Sequence, residues 1–241
     1  MFKHEGKTRT LKHNLSIASL LSFVAGIVNV AGFLAVQKLT TNVTGHFAFF
    51  VDEVFQLHFW KGFVYFLYIF FFLFGAFISS FLLEIKIHKN SPTIYTIPVL
   101  VEIAILVTIA IFGNYLQIDN PNTIACSLLF AMGLQNALVT KISNATVRTT
   151  HLTGLFTDLG IELSQLFFYK ETLQKEKLYA SIKLRFTIIS FFFIGGIIGG
   201  LFYSNMKLKV LLLACATLIF GLIYDYIKLK LLVLHRKLHH S

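Results

Sequence analysis

Two polar segments of the chain contain the residue types most able to bind a small ligand. Residues 40–45 and 149–154 share the pattern Thr-Thr-x-x-Thr-Gly. Threonine hydroxyls can coordinate a polar solute or an ion, and glycine permits a close approach of the backbone. A structural role is the alternative, because threonine caps helix starts and glycine permits a bend. The pattern itself leaves both interpretations open.

The substrate site that we predict combines these two segments with asparagines of the apolar runs that precede them. Its residues are Asn29, Thr41, Asn42, Thr44, Gly45, Asn136, Thr150, His151, Thr153 and Gly154. The histidines near the two segments form no known metal-ligand spacing with the acidic residues that follow. We therefore predict no metal site, no cofactor and no catalytic residue, and we do not expect an enzyme.

Acidic residues in or near apolar runs are the second group that could do chemistry. Ionised carboxylates are costly inside a membrane, so such residues are candidates for proton or ion transfer. The candidates are Glu53, Glu102, Asp158 and Glu162. Apolar residues flank Glu102 on both sides, and its alternative role is a protonated or hydrogen-bonded carboxyl that joins helices. Glu53 and Glu162 each follow the last threonine of a polar segment by nine residues.

The composition indicates a membrane protein. Hydrophobic residues make up 56% of the 241 residues and charged residues 13%, whereas soluble domains have about 45–50% and about 25%. The net charge of +10 does not indicate a nucleic-acid partner, because the basic residues lie in connections and tails rather than on one face. Basic connections instead fit the excess of Lys and Arg on the cytoplasmic side of membranes.

Six apolar runs are candidates for membrane spans, for which a helix needs about 20 residues. They cover residues 15–37, 62–83, 90–118, 120–140, 186–206 and 210–224. Five are charge-free, and the third contains Glu102. The sequence thus predicts an all-α, polytopic membrane protein of about six spans, with two shorter membrane-dipping segments.

An internal repeat divides the chain. Residues 40–59 and 149–168 share nine identities in register, and these include Thr, Gly, Glu and Gln, which chance matching of apolar helices would not repeat. We predict one membrane domain over 1–241, with repeats at 14–113 and 120–227 and a basic cytoplasmic tail at 228–241. Three spans in each repeat place the halves in opposite orientations, as in many secondary transporters.

Several runs resemble the YoaK-like family of bacterial inner-membrane proteins, a domain of unknown function. They are Phe-Val-Ala-Gly at 23–26, Ala-Met-Gly-Leu-Gln-Asn-Ala at 131–137, Val-Arg-Thr-Thr-His-Leu-Thr-Gly at 147–154 and Thr-Asp-Leu-Gly at 157–160. The resemblance covers nearly the whole chain and implies the bacterial inner (plasma) membrane, with no established substrate. It also marks two departures, since Asn29 stands where the family usually has Asp and His46 where it usually has Asn.

Our leading hypothesis is a secondary transporter or permease for a small solute. The alternatives are a membrane enzyme acting on a lipid-like substrate and a non-transporting scaffold or sensor. The expected partners are the lipid bilayer and an unidentified small solute, without nucleic acid, and the sequence is compatible with a homo-oligomer.

The distribution of Lys and Arg predicts that both termini lie in the cytoplasm. Asp119 should then lie outside and Lys175 inside. Single cysteines at these two positions should react with an impermeant maleimide from opposite sides of the membrane. Labelling of both from one side would contradict the orientation and the inverted repeat together.

Overall fold

The computed structural model describes residues 10–88 and 95–238, which contain helices and no strand. The eight helices are α1 (Leu11–Val36), α2 (Thr44–Phe55), α3 (Phe59–His88), α4 (Thr96–Asp119), α5 (Pro121–Ile142), α6 (Leu152–Gln165), α7 (Thr172–Met206) and α8 (Leu211–Leu238). A 3-10 turn, Lys207–Val210, joins the last two helices. The all-helical prediction is confirmed for this part of the chain.

Five segments of the described residues are long and apolar enough to cross a membrane. They are Leu11–Val36, Phe59–Ile85, Thr96–Asp119, Pro121–Ile142 and Thr172–Lys228. The last segment contains α7, the 3-10 turn and most of α8. These segments define a multi-pass membrane protein.

Helix α7 begins well before the apolar run at 186–206, and α8 continues beyond the run at 210–224 into the tail predicted from residue 228. In the first turns of α7, Leu178 and Leu184 are buried whereas Lys177 and Lys183 are exposed. An amphipathic extension of this kind contains charges, so a search for charge-free runs does not detect it.

Large apolar side chains cover much of the outer surface of the bundle. On α3, Phe63, Leu73 and Phe77 are 46%, 64% and 59% exposed, while Tyr68 on the opposite face is fully buried. A soluble protein rarely exposes a continuous apolar surface of this extent. In lipid this surface is solvated by hydrocarbon, which explains the abundance of phenylalanine.

Helices α1 and α7 pack so closely that their backbones touch. A Cβ atom at Gly26 would overlap the carbonyl oxygen of Phe192, and one at Gly195 would overlap that of Phe23. Phe23 faces Gly195 and Ile27 faces Gly199, so residue numbers rise together along both helices. The two helices of this pair therefore run in the same direction.

Helices α3 and α5 form a second pair with the same contacts. A Cβ atom at Gly133 would overlap the carbonyl oxygen of Phe72, and one at Gly75 would overlap that of Phe130. The chain places Gly26 and Gly133 on the first helix of each half, and Gly75 and Gly195 on the second long helix. Each pair thus combines one helix from each half of the chain.

The remaining long helices complete the core between the two pairs. Helix α4 packs on α5 and α8, and α1 packs on α5 and α8. Gln135 Nε2 donates to the Leu21 carbonyl oxygen at 3.1 Å, and a Cβ atom at Gly32 would meet Leu128. Along the contact, residue numbers increase on α1 from 21 to 32 while they decrease on α5 from 135 to 128, so these two helices are antiparallel.

The glycine contacts predict a large difference between two equivalent substitutions. Gly195→Ala places a methyl group against the backbone of α1, and overpacking of this kind typically costs about 1–3 kcal/mol. Gly160→Ala is the matched control, because a Cβ atom there would meet nothing within 4 Å and alanine favours the helix by about 0.5–1 kcal/mol. Thermal unfolding in detergent should show a lowered midpoint for the first variant and an unchanged or raised midpoint for the control. Equal midpoints would contradict the close pairing of α1 and α7.

Candidate functional site

Both polar segments are fastened to the helix that precedes them by a matched hydrogen bond. Thr41 Oγ1 donates to Asn29 Oδ1 at 2.8 Å, and Thr150 Oγ1 donates to Asn136 Oδ1 at 3.0 Å. Thr41 corresponds to Thr150 in the aligned repeats. The structure thus brings together four of the predicted site residues as two equivalent pairs.

The neighbouring threonines are buried and strengthen both attachments. Thr40 Oγ1 donates to the Val28 carbonyl oxygen at 3.2 Å. Thr149 Oγ1 accepts a hydrogen bond from Gln135 Nε2 at 3.2 Å. The N-cap residues that immediately precede α2 and α6, Val43 and His151, form no side-chain capping bond. The threonine pairs therefore hold the segments against α1 and α5 and do not cap the short helices.

The glycines of the two segments lie within the first turns of the short helices. A Cβ atom at Gly45 would overlap the Leu39 side chain, and one at Gly154 would lie 2.7 Å from His151 Nδ1. Neither glycine has a positive φ angle. In the structure both glycines allow the close approach of a neighbouring side chain.

The other predicted site residues are more accessible. Thr44, Thr153 and His151 are exposed, and Asn42 is half-buried. Gln135 contacts Leu21 on α1, and Asn29 lies eight residues further along that helix, which corresponds to a rise of about 12 Å. The two asparagine–threonine pairs therefore lie at different depths, and a single site shared by both segments stays a prediction.

An aromatic cluster surrounds the start of α2. His46 is buried, its Nε2 donates to the Leu39 carbonyl oxygen at 2.5 Å, and its ring lies 4.9 Å from that of Tyr68. Phe49 stacks on Tyr65 with ring centroids 5.3 Å apart. Burial lowers the pKa of His46 from its ordinary value, with a smaller lowering effect of nearby Lys38 and an opposing effect of the Leu39 hydrogen bond.

An ionic network joins α6 to α7 in the second half. Arg185 Nη1 lies 2.9 Å from Asp158 Oδ2, and Arg185 Nε donates to Glu162 Oε2 at 2.8 Å. Ser181 Oγ donates to the other oxygen of Glu162 at 2.6 Å. The long α7 helix thus brings Arg185, which is distant in sequence, to both acids of α6.

The two retained glutamates have different surroundings. Glu162 is tied to Arg185, whereas Glu53 Oε2 lies 3.0 Å from His58 Nδ1 at the end of α2. Both side chains are mostly buried, at 13% and 19% exposure. A relay that uses both glutamates stays a prediction, and it would have to operate with two unequal partners.

Glu102 is fully buried on α4. Neither of its carboxyl oxygens has a hydrogen-bond partner among the described residues. The hydrogen-bonded alternative for this residue is therefore not seen in the structure. Its other alternative, a protonated carboxyl, fits these surroundings because an unpaired buried charge is costly.

A cavity of about 260 Å³ lies beside the second polar segment. Its polar lining consists of Thr146, Arg148, His151, Asp158, Ser181 and Arg185. Sequence reasoning missed Ser181 and Arg185, since both lie in a stretch that was interpreted as a cytoplasmic connection. The available signal was their spacing. Ser181 and Arg185 are four residues apart, so on a helix they lie on the same face, one turn from each other.

The fold and these polar sites define an α-helical, multi-pass membrane protein with two halves of related packing. Residues 17–224 match the model of a family described as a protein of unknown function, DUF1275. The chain belongs to this family, which is consistent with the YoaK-like resemblance. Neither a curated protein nor a solved structure matches the chain.

The buried histidine generates a prediction for the pH dependence of stability. Because the pKa of His46 is lowered in the folded protein, the unfolded chain takes up a proton first as the pH falls through 6.5. Stability should be complete above that pH and fall below it. His46→Asn removes this loss, so its unfolding midpoint should change less between pH 7.5 and 5.5. Identical pH profiles of the unmodified protein and His46→Asn would contradict the assignment. His58 and His151 are present in both proteins, so their contributions cancel in the comparison.

Proposed function

We propose that this protein is a secondary transporter or permease for a small polar solute. It crosses the bacterial inner membrane six times as two inverted three-helix repeats, with both termini in the cytoplasm. Helices α1, α3, α4, α5, α7 and α8 serve as the spans, and α2 and α6 lie at opposite ends of the bundle.

The matched contacts of the two halves carry this proposal. Gly26 and Gly133 meet equivalent carbonyl oxygens, and Thr41 and Thr150 bond to equivalent asparagines. Shared contacts of this kind support a common ancestor for the halves. The parallel pairs α1/α7 and α3/α5, and the antiparallel α1/α5, are the directions that an alternating six-span path requires. Inverted repeats are typical of transporters that work by alternating access.

The packing also suggests which parts move. Backbone contact through glycine makes each helix pair a rigid unit, because a close-packed interface cannot slide without separating. The two pairs meet where side chains of α1 contact α5. Helices α4 and α8, which belong to neither pair, also pack at this interface. Rocking of one pair against the other would open the α2 end and the α6 end in turn.

Glu102 is the residue that we propose for proton coupling. Its carboxyl is buried without a hydrogen-bond partner in the described part of the chain, so the neutral form fits the closed state and release of the proton requires access to water. A group that exchanges its proton only when the surrounding helices separate can link proton movement to solute movement.

The proposal can be tested in proteoliposomes of the purified protein with a pH gradient and an internal pH indicator. The probes are inorganic phosphate, succinate, glycine, glycerol and ethylamine, which cover anionic, zwitterionic, neutral and cationic solutes. We expect at least one to produce a proton flux that depends on the protein and falls at least about tenfold in Glu102→Gln. The matched control is Glu176→Gln, the same change at an exposed residue of α7.

A folded protein without flux for any probe would favour the scaffold or sensor alternative. Solute uptake that is unchanged in Glu102→Gln and independent of the pH gradient would instead contradict only the coupling role and leave a uniporter.

A further inference from the structure

The cavity beside α6 contains an arginine that the ionic network does not use. Arg148 lines this cavity together with Arg185. Arg185 is held by two carboxylates, whereas Arg148 has no ion pair among the residues that the structure describes. An accessible guanidinium beside a second one offers fixed donors suited to carboxylate or phosphate groups.

The two acids of the network differ in how firmly they are held. Glu162 is 13% exposed and also accepts from Ser181, whereas Asp158 is 49% exposed and has Arg185 as its one polar partner among the described residues. Glu162 therefore keeps one edge of the guanidinium fixed. Asp158 occupies the other edge and can be displaced by an anion that enters the cavity.

The first half of the chain shows that helix packing does not require these charges. In the register of the two polar segments, Asp158 corresponds to Phe49. In the register of the matched glycines Gly75 and Gly195, Arg185 corresponds to Tyr65. These two rings stack on each other at 5.3 Å, so they join α2 to α3 as the ion pair joins α6 to α7. Leu39 takes the place of Arg148. A pair of aromatic rings thus meets the structural need, and the charges serve another purpose.

We infer that the cavity lined by Arg148, Asp158 and Arg185 is a binding site for the oxyanion group of a small solute. The anion contacts Arg148 and takes the position of Asp158 on Arg185. His151 and Thr146 also line the cavity and supply further polar groups. The volume of about 260 Å³ admits a compact molecule and is below the range for drug-sized ligands, about 300–1,000 Å³.

The inference names a substrate class and in that respect rests on the proposed function. Binding itself does not require transport. Phosphate binding without any flux would overturn the transporter alone, whereas flux of uncharged probes without anion binding would overturn this site alone.

If the anion replaces the Asp158 carboxylate on Arg185, substitutions of Arg148 and of Asp158 should have opposite effects on anion affinity. Arg148→Gln removes a charge-assisted contact and should weaken binding about tenfold or more. Asp158→Asn removes the competitor for Arg185 and should strengthen binding. A purely structural network would give no increase in affinity for any anion when Asp158 is changed.

The measurement is calorimetric titration of the purified full-length protein in neutral detergent with inorganic phosphate and, separately, with succinate. Ionic strength is held constant with chloride, because salt screens exposed charges. Lys183→Gln and Glu176→Gln are the matched controls, since both are exposed residues of α7 that do not line the cavity. Both controls should bind like the unmodified protein.

A second arm separates a free solute from a lipid headgroup as the source of the oxyanion. The same titrations are made in nanodiscs of phosphatidylcholine with and without phosphatidylglycerol. Loss of phosphate binding only in the presence of phosphatidylglycerol assigns the site to a lipid phosphate. Binding in both lipids assigns it to a free solute. Binding that is absent throughout, or equal in Arg148→Gln and Lys183→Gln, overturns the site.

Discussion

Backbone contact between helices is the interaction on which the rest of this structure depends. Inside lipid, apolar side chains gain little by leaving hydrocarbon, so helices associate through close van der Waals contact. Gly26 and Gly195 provide that contact in one pair of helices, and Gly133 and Gly75 provide it in the other. Each pair combines the first helix of one half with the second long helix of the other half. Neither half can therefore bury its own glycine surface alone.

The two halves keep this packing while their polar chemistry differs. Both fasten the segment after the first helix through an asparagine and a threonine. At the next contact, the first half places aromatic rings around His46, and the second half places Arg185 between two acids. The shared contacts maintain the fold, and the contacts that differ make the two ends of the protein chemically distinct.

The sequence could predict the helical class, the two polar segments and the asparagines that hold them, because repeated Thr, Gly and Asn are visible without a structure. It could not predict the partner of Asp158. That pairing depends on the register between α6 and α7, and α7 starts with an amphipathic stretch whose charges interrupt the apolar pattern. The sequence also left the role of Gly45 open, since it shows that a glycine is present but not whether it serves a bend or a close contact.

The two ends of the protein differ in the free-energy cost of separating the short helix from the long helix beside it. Separating α2 from α3 exposes aromatic rings, which costs apolar contact area but leaves no charge unpaired. Separating α6 from α7 without a ligand leaves Arg185 and Asp158 without partners in a partly buried position, which is costly. An anion that bridges the arginines removes that cost. Under the proposed transport mechanism, we therefore expect the end with the ionic network to open most readily when a ligand is bound, and the aromatic end to open empty. This difference would give the two halves separate tasks despite their common packing.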